Sequence, residues 1–375
     1  MKYLISGGGT GGHIFPAVSI ANALCEQDPE ADILFVGALG RMEMERVPEA
    51  GYRIVGLPVR GFNRAQPWKN ISVLIDLWKS MRMAKRIIRD FKPDVAVGVG
   101  GYASGAAMKM AARMGIPVLL QEQNGFAGVT NKLLRNDAAR ICVAYDNMER
   151  FFPKEKIIFT GNPVRQDLTC GDKERAVSFF NREFGVRFDT ETPTLLIIGG
   201  SLGARTINNS IASSLPQLAE SGMQVIWQTG KAYYDKCRAA LDGVQGAENI
   251  VCTAFLKNMP DCYALADLVI SRAGASSISE ICLLGKAAIL VPSPNVAEDH
   301  QTHNAMALVN RQAAVLVRDA DAEKSLVLHA LTLINDEERL ALLRKNVYPL
   351  GRPDSADRIA EEVIKLISTK QEKKR

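Results

Sequence analysis

The residues with the clearest chemical potential surround a glycine-rich loop near the N-terminus. Five of the six residues from Gly7 to Gly12 are glycine, and they follow the apolar run from Tyr3 to Ser6. Their spacing satisfies GxGxxG, in which glycines let the backbone turn tightly and approach a phosphate at a helix N-terminus. The loop therefore indicates a ligand, although close packing of a helix on a strand also demands glycine.

Two common phosphate-binding patterns fail at this loop. The dinucleotide fingerprint needs an acidic residue at the end of the second strand, about 20 residues on, to bind a ribose. That predicted strand ends in Gly37, Ala38 and Leu39 instead. The Walker pattern also fails, because no Gly-Lys-Ser/Thr follows. A nicotinamide-binding oxidoreductase is thus disfavoured.

His13 stands at the exit of the loop, in the first turn of a predicted helix. A histidine there is poorly placed for a core, and the positive end of the helix favours neutral imidazole. A neutral imidazole that faces a cleft can act as a general base toward a hydroxyl nucleophile. The alternative is a histidine satisfied by a local hydrogen bond.

Three further stretches place polar side chains near the ends of predicted strands. Gln121 to Asn124 close one strand, and ligands bind at the carboxyl edge of open α/β sheets. Glu280 lies in the early turns of a helix, where it can accept hydrogen bonds from ribose hydroxyls or cap the helix. Gln301 and Asn304 begin another helix.

These residues are positioned by a chain in which strands and helices alternate. The continuous apolar runs are typical of parallel strands covered on both faces. They predict strands at residues 2–6, 32–37, 53–58, 94–99, 117–121, 140–144, 194–199, 224–229, 249–253, 268–271, 287–291 and 313–317. Helical spacing marks stretches that include 13–27, 203–219 and 321–346.

The order strand, glycine loop, helix occurs twice, at GGGTGGH and at LLIIGGSLGAR. The repeat predicts an α/β protein with two Rossmann-like domains in tandem, and a chain of 375 residues is long enough for both. The first is expected over 1–163 and the second over 164–345. A C-terminal helix at about 350–370 is expected to pack back on the first.

Composition narrows the class of protein. Apolar residues make up 47% and charged residues 23%, which is typical of a globular chain. The net charge of +5 permits an anionic ligand or membrane surface without demanding nucleic acid. Seven cysteines without a CxxC pair suggest free thiols in a reducing compartment. No stretch approaches the roughly 18 apolar residues of a membrane span, so we expect a cytoplasmic protein.

Taken together, the motifs resemble those of one family. GGTGGH, QEQN, GNPVR, GGSLGAR, SRAG and DHQTHNA occur along nearly the whole chain in the order found in the MurG family. These are the N-acetylglucosaminyltransferases of bacterial peptidoglycan synthesis. The resemblance implies the GT-B fold, with two Rossmann-like domains whose parallel sheets face a central cleft.

The resemblance also implies roles for individual residues. Thr10, Gly11, Gly12 and Asn124 would line the donor sugar, and Arg165 with Ser201 would hold the diphosphate of UDP-GlcNAc. Leu256 would pack at the uracil. The remaining donor contacts would come from Ala275, Ser276, Ser277, Ile278, Ser279, Glu280 and Gln301, with Glu280 on the ribose.

The chemistry implied is inverting transfer of GlcNAc to the 4-hydroxyl of lipid-linked MurNAc-pentapeptide. His13 is the first candidate for the base, and Glu122 is the second if burial raises its pKa. No cofactor or metal is expected, since amides, a helix dipole and Arg165 can stabilise the leaving diphosphate. Asp319 and Asp321 form a DxD, but at a strand–helix junction capping is expected instead. His300 and His303 have only weak metal spacing.

A membrane surface is the remaining predicted partner. Residues 67–92 carry an apolar stripe flanked by basic residues, which suits an interfacial helix or an ordinary core-facing one. The family resemblance favours peripheral binding at the cytoplasmic face of the inner membrane, near other cell-wall synthesis proteins. The expected patch is Ile71, Leu74, Ile75, Trp78, Lys79 and Arg82.

Two other functions stay open at this point. Another GT-B enzyme, such as a UDP-GlcNAc 2-epimerase, would turn over the nucleotide sugar without an acceptor. A non-catalytic nucleotide-sugar binder would bind the donor and transfer nothing.

Overall fold

The structure is a computed structural model that describes residues 1–60, 70–200 and 202–372. The chain divides into two compact units. Unit 1 comprises Met1–Arg165 together with the C-terminal segment from Arg352, and unit 2 comprises Gln166–Gly351. The sequence-based boundary after residue 163 lies two residues before the boundary in the structure.

Unit 1 is built on a parallel sheet with helices on both faces. Its strands are β1 (Lys2–Gly7), β2 (Asp32–Ala38), β3 (Arg53–Leu57), β4 (Val95–Gly100), β5 (Val118–Glu122), β6 (Arg140–Val143) and β7 (Ile157–Phe159). Its helices are α1 (Gly11–Gln27), α2 (Glu43–Glu49), α3 (Asn70–Phe91), α4 (Tyr102–Arg113), α5 (Val129–Leu134) and α15 (Ser355–Glu372). The strand order is β3-β2-β1-β4-β5-β6-β7, so the order reverses between β1 and β4.

Strand alternation explains how unit 1 buries both faces of its sheet. Tyr3 and Ile5 of β1 pack with α1 and α15, whereas Leu4 packs with the side of the sheet that carries α3 and α4. The C-terminal helix contributes Ile359 and Val363, both fully buried. Each such side chain contributes about 1.5–3 kcal/mol of burial free energy, which holds α15 on this unit.

Unit 2 repeats the same design. Its strands are β8 (Thr194–Ile198), β9 (Gln224–Gln228), β10 (Ile250–Thr253), β11 (Leu268–Ser271), β12 (Ala287–Leu290) and β13 (Val315–Leu316). Its helices are α6 (Lys173–Phe184), α7 (Arg205–Ser213), α8 (Leu215–Glu220), α9 (Tyr234–Asp242), α10 (Met259–Leu265), α11 (Ala275–Leu283), α12 (His300–Val309), α13 (Asp319–Ile334) and α14 (Glu337–Val347). The parallel order β10-β9-β8-β11-β12-β13 reverses between β8 and β11.

All twelve predicted strands are present, and the differences concern short or interrupted elements. Strand β7 was missed because it is a three-residue edge strand whose residues are only half-buried. The helical stretch 203–219 is two helices, since α7 ends at Ser213 and α8 begins at Leu215 with Pro216 in its first turn. The stretch 321–346 is also two helices, because Asp336 caps α14 by accepting from the Arg339 N–H at 2.9 Å.

Candidate active site

In unit 1, the loop after β1 lies where the strand order reverses. Gly9 has φ +89°, in the region that favours glycine. A Cβ placed on Gly101, in the loop after β4, would lie 2.5 Å from the carbonyl oxygen of Gly8. The two loops therefore touch through their backbones, at the sheet edge where ligands of such folds bind. Thr10 is the N-cap of α1, and Gly11 and Gly12 are the first two residues of the helix.

His13 lies in the first turn of α1 and is half-buried. Its Nδ1 is 3.3 Å from the Thr10 hydroxyl oxygen, so the local hydrogen bond of the alternative interpretation is present. Its ring lies against Gly100 at the end of β4. The imidazole is thereby positioned at the carboxyl edge of the sheet.

Glu43 is a buried acid at this loop that the sequence analysis missed. It is the first residue of α2 and is fully buried. Its Oε2 accepts a hydrogen bond from the Gly9 N–H at 2.9 Å, and its Oε1 accepts from the Ala38 N–H at 3.0 Å. A signal was present, since an acid follows shortly after the strand end where the dinucleotide pattern lacks one.

Glu122, the second candidate base, is the last residue of β5 and is 1% exposed. Its Oε2 accepts from the Gly128 N–H at 3.0 Å and from Asn131 Nδ2 at 2.9 Å. Its Oε1 accepts from the Asn124 N–H at 3.2 Å and from Asn124 Nδ2 at 3.4 Å. Burial raises the pKa of Glu122, and these hydrogen bonds oppose that rise. Both oxygens are engaged in holding the loop that follows the strand.

The same strand end binds the GNPVR motif. Gln121 Nε2 donates to Asn162 Oδ1 at 2.9 Å, and Asn162 Nδ2 donates to the Gln123 carbonyl at 2.9 Å. All three residues are buried. Their hydrogen bonds fix the segment that leads to Arg165, whose side chain is exposed at the end of unit 1.

In unit 2, a cavity of about 650 Å³ opens at the second glycine loop. Gly199, Gly200 and Gly203 line it together with Arg205, the exposed first residue of α7. Gly200 and Gly203 have φ +80° and +78°. A glycine loop that enters a helix N-terminus presents amides and a positive dipole end to an anion. Ser201 lies outside the described residues.

A half-buried ion pair forms part of the cavity wall. Arg272 Nη1 lies 2.5 Å from Asp319 Oδ1, and the Thr206 hydroxyl donates to Asp319 Oδ2 at 2.9 Å. Arg272 also donates to the Val291 carbonyl at 3.1 Å. The predicted capping role of the Asp319 side chain is wrong: Arg318 is the N-cap of α13, and the carboxylate binds Arg272 and Thr206 instead.

The other predicted donor residues lie around this cavity or along α11. Ser277 and Gln301 line it, and Gln301 Oε1 accepts from the Ser293 N–H at 2.8 Å. Glu280 Oε2 accepts from the Tyr263 hydroxyl at 2.9 Å. Leu256 is buried, and its N–H donates to Gln228 Oε1 at 3.2 Å. Helix α11 also carries Ala275, Ser276, Ile278 and Ser279.

Glu280 therefore has a partner that the sequence did not indicate. It is the sixth residue of α11, too far from the N-terminus to cap it. Burial, with the Glu280 carboxylate beside it, raises the pKa of Tyr263 well above its usual value. The neutral phenol orients one carboxylate oxygen. Within the described ranges, no group of three or more His, Cys, Asp or Glu residues is arranged to hold a metal ion.

The exposed face of α3 carries apolar and basic residues together. Ile75 is 50% exposed and Trp78 is 57% exposed, while Lys79 and Arg82 are also exposed. The Arg82 guanidinium lies 4.6 Å from the Trp78 ring centroid. Part of the predicted stripe faces inward instead, because Ile88 is buried in the core.

Two predicted patch residues are only partly described. Ile71 and Leu74 lie in α3, but their side chains fall outside what the structure describes. Asp76 is turned inward and pairs with Arg60 at 3.0 Å, so it leaves the exposed face basic.

No helix in the described part of the chain is both long enough and apolar enough to span a bilayer.

Two Rossmann-like units, each with a glycine loop where its strand order reverses, are the architecture of the GT-B fold. The model of the glycosyltransferase family 28 N-terminal domain matches residues 3–143, and that of the C-terminal domain matches residues 194–359. The chain therefore belongs to glycosyltransferase family 28.

Individual relatives agree with the family models. The chain is 57% identical over 371 residues to the UDP-N-acetylglucosamine–N-acetylmuramyl-(pentapeptide) pyrophosphoryl-undecaprenol N-acetylglucosamine transferase of Parabacteroides distasonis, covering 98% of this chain and 99% of the relative. A crystal structure of Acinetobacter baumannii MurG matches with TM-score 0.75 and 27% identity, over 97% and 99% of the two chains. The resemblance to the MurG family is thus confirmed.

An epimerase shares the fold. The UDP-GlcNAc 2-epimerase of Neisseria meningitidis, solved with UDP-GlcNAc, matches with TM-score 0.66 over 97% of this chain and 100% of its own. Its identity of 15% shows a common architecture and nothing about the reaction.

Proposed function

We propose that this protein is the inverting N-acetylglucosaminyltransferase that moves GlcNAc from UDP-GlcNAc to the 4-hydroxyl of undecaprenyl-diphosphate-linked MurNAc-pentapeptide. The product is the disaccharide-linked lipid used for peptidoglycan synthesis. The observation that carries the proposal is the 57% identity, over 98% of the chain, to a relative named for that transfer.

The cavity of unit 2 is the proposed donor site. Its volume of about 650 Å³ lies within the range of small-molecule sites. The amides of Gly199, Gly200 and Gly203 and the N-terminus of α7 suit the diphosphate, and Arg205 adds a positive charge at the rim. Gln301 lines the same wall. Glu280, oriented by Tyr263, is proposed to accept hydrogen bonds from the ribose hydroxyls.

His13 is the proposed base in unit 1. The acceptor hydroxyl attacks the anomeric carbon, the bond to the diphosphate oxygen breaks, and the hydroxyl proton passes to the imidazole. The Thr10 hydroxyl lies 3.3 Å from Nδ1 of the ring. The Nε2 side of the ring lies against Gly100 at the end of β4. Glu122 is proposed to hold the loop after β5, since four hydrogen bonds already engage its carboxylate.

We propose that the transfer needs no metal. The charge that develops on the leaving UDP can be stabilised by the glycine-loop amides, the helix dipole and the guanidinium groups of Arg165 and Arg205. The Asp319 of the DxD is bound to Arg272 and Thr206, so both of its oxygens already have donors.

The lipid acceptor places the reaction at a membrane. We propose peripheral binding to the cytoplasmic face of the inner membrane through the exposed face of α3, where cell-wall synthesis proteins also act. Ile75 and Trp78 supply apolar surface, while Lys79 and Arg82 supply charge for an anionic leaflet.

The direct test is transfer of radiolabelled GlcNAc from UDP-GlcNAc to a lipid-linked muramoyl-pentapeptide analogue in the presence of EDTA. Disaccharide product supports both the reaction and its independence of metal. Consumption of UDP-GlcNAc without acceptor would identify an epimerase. Donor binding without consumption or transfer would identify a nucleotide-sugar binder or a different acceptor.

A further inference from the structure

We propose that Glu43 is a positioning residue for the active site, which bridges the first glycine loop to the end of β2 and so sets the position of His13. The proposal rests on the proposed function, since it assigns Glu43 a part in that reaction. Glu43 contacts the loop and not the reacting groups, which are contacted by His13 in the proposed reaction.

The bridge is made by one carboxylate with two backbone partners. The Gly9 N–H donates to Oε2 at 2.9 Å, and the Ala38 N–H donates to Oε1 at 3.0 Å. The side chain is fully buried. A buried carboxylate that lost either donor would keep its desolvation cost, so both bonds are needed at once.

Neighbouring glycines have made room for this side chain. A Cβ on Gly8 would overlap the Glu43 carboxylate, and a Cβ on Gly37 would lie 2.6 Å from Glu43 Cγ. Glycine at these two positions is therefore explained by contact with Glu43. The glycine content of the loop serves an internal carboxylate as well as any external ligand.

The contacts continue from Glu43 to His13 through the loop itself. Gly8 contacts both the Glu43 carboxylate and Gly101. A Cβ placed on Gly101 would lie 2.5 Å from the Gly8 carbonyl oxygen. Gly9 and then Thr10 follow in the chain, and the Thr10 carbonyl accepts the His13 N–H at 3.1 Å. A shift of Gly9 therefore moves the turn that carries Thr10 and the imidazole.

The bridge also decides what the loop can bind. In a dinucleotide site the loop amides face a pyrophosphate, and an acid after the second strand binds ribose. Here the acid, Glu43, is five residues beyond Ala38, and its carboxylate accepts the hydrogen bond of the Gly9 N–H. A phosphate oxygen at that amide would meet a carboxylate, so the Gly9 amide is not available to an anionic ligand.

The first measurement is hydrogen exchange in the full-length protein labelled with [15N]glycine. Gly9 is exposed, so without its bond to Glu43 it should exchange as fast as the exposed loop residue Gly40. We expect wild-type Gly9 to exchange at least about tenfold more slowly, and Glu43→Gln to abolish the difference. Equal rates for Gly9 and Gly40 in the wild type would overturn the proposal, even if Glu43→Gln does not fold.

The second measurement separates positioning from general stability. In Glu43→Gln the amide NH₂ faces one of the two backbone N–H groups, so we expect kcat for GlcNAc transfer to fall by about 10- to 100-fold. The Kd for UDP, measured by calorimetry, should stay within about twofold, because the cavity lies in unit 2. Glu45→Gln, an exposed acid on the same helix, is the matched control and should behave as wild type.

A double-mutant cycle with His13→Ala completes the test. If Glu43 acts through His13, the double variant His13→Ala/Glu43→Gln should be no slower than His13→Ala alone. Additive losses, or full activity of Glu43→Gln, would overturn the proposal. Absence of transfer by the wild-type protein would instead refute the proposed function, and the Gly9 exchange rates would still decide whether the bridge exists.

Discussion

The His13 imidazole lies directly against the α-carbon of Gly100. A Cβ placed on Gly100 would be 2.8 Å from Cδ2 of the ring and 2.9 Å from Nε2. Gly100 ends β4, the strand that pairs with β1 where the sheet order reverses. The ring position thus depends on a residue without a side chain, 87 positions away in the chain.

This contact predicts the effect of Gly100→Ala. The added methyl must displace the imidazole, so we expect kcat for transfer to fall by about 10- to 100-fold. The matched control is Gly115→Ala. Gly115 also has positive φ, +73° against +99°, but a Cβ there meets nothing within 4 Å. It should lower the unfolding free energy by about 1 kcal/mol and leave kcat unchanged. Full activity of Gly100→Ala would exclude His13 as the base in this position.

The sequence predicted the architecture well because the signals are local. Buried parallel strands need continuous apolar runs, and each glycine loop marks a strand–helix junction, so the twelve strands and two domains were readable. Glu43 carried only a local signal, its place five residues after Ala38, whereas its contact with Gly9 depends on the sheet order that pairs β1 with β2. Tyr263 and Arg272 were missed for the same reason.

Helix interruptions show a second limit. Apolar spacing continues across Ser214 and across Asn335–Asp336, so periodicity alone joined helices that the structure separates. The signals were present as Pro216 and as the capping Asp336, and both are helix-start residues. Start signals inside a periodic stretch outweigh the periodicity.

Glu122 provides a prediction that separates a structural acid from a base. Glu122→Gln replaces an acceptor by a donor facing Gly128 or Asn131, so we expect the unfolding free energy to fall by about 1–3 kcal/mol. The kcat should fall by less than the roughly 100-fold expected on removal of a general base. Asn131→Ala, which leaves the acid intact, should reproduce the loss of stability. A loss of more than 100-fold in kcat with unchanged denaturation would make Glu122 the base.

Tyr263 is expected to act on donor affinity through Glu280. Tyr263→Phe removes the hydroxyl that donates to Glu280 Oε2 at 2.9 Å, so the carboxylate is held less firmly in its orientation. We expect KM for UDP-GlcNAc to rise by about three- to tenfold with kcat nearly unchanged, as for the loss of uniform binding. Tyr348→Phe is the control, since Tyr348 is 69% exposed in the same unit. An unchanged KM for Tyr263→Phe would contradict the proposal that Tyr263 orients Glu280 to bind the ribose.

The exposed face of α3 predicts membrane affinity. Replacing both Ile75 and Trp78 by serine should weaken partitioning onto anionic vesicles by at least about tenfold, since each side chain contributes of order 1 kcal/mol. Transfer to a water-soluble acceptor analogue should be retained. Leu328→Ser is the control, because Leu328 is 65% exposed on α13 of unit 2. If Leu328→Ser lost as much vesicle binding as the double variant, or if the double variant bound vesicles like wild type, the exposed face of α3 would not be the membrane contact.

Lys286 predicts an alkaline gain in stability. Its ammonium donates to the Ala266 carbonyl at 2.9 Å in unit 2, and burial lowers its pKa from 10.5 to about 8, although the nearby Asp267 opposes the change. Below pH 8 both states are protonated and the buried charge costs its full penalty. Between pH 8 and 10.5 the unfolded chain binds more protons, so stability rises with pH.

We therefore expect wild type to gain up to about 3 kcal/mol relative to Lys286→Met between those two pH values, at about 1.4 kcal/mol per pKa unit. Urea denaturation of both proteins across this range measures the difference. Other groups that titrate there cancel, because both proteins share them. The exposed Lys345→Met should run parallel to wild type. A constant difference between wild type and Lys286→Met would mean that Lys286 keeps an ordinary pKa in the folded protein.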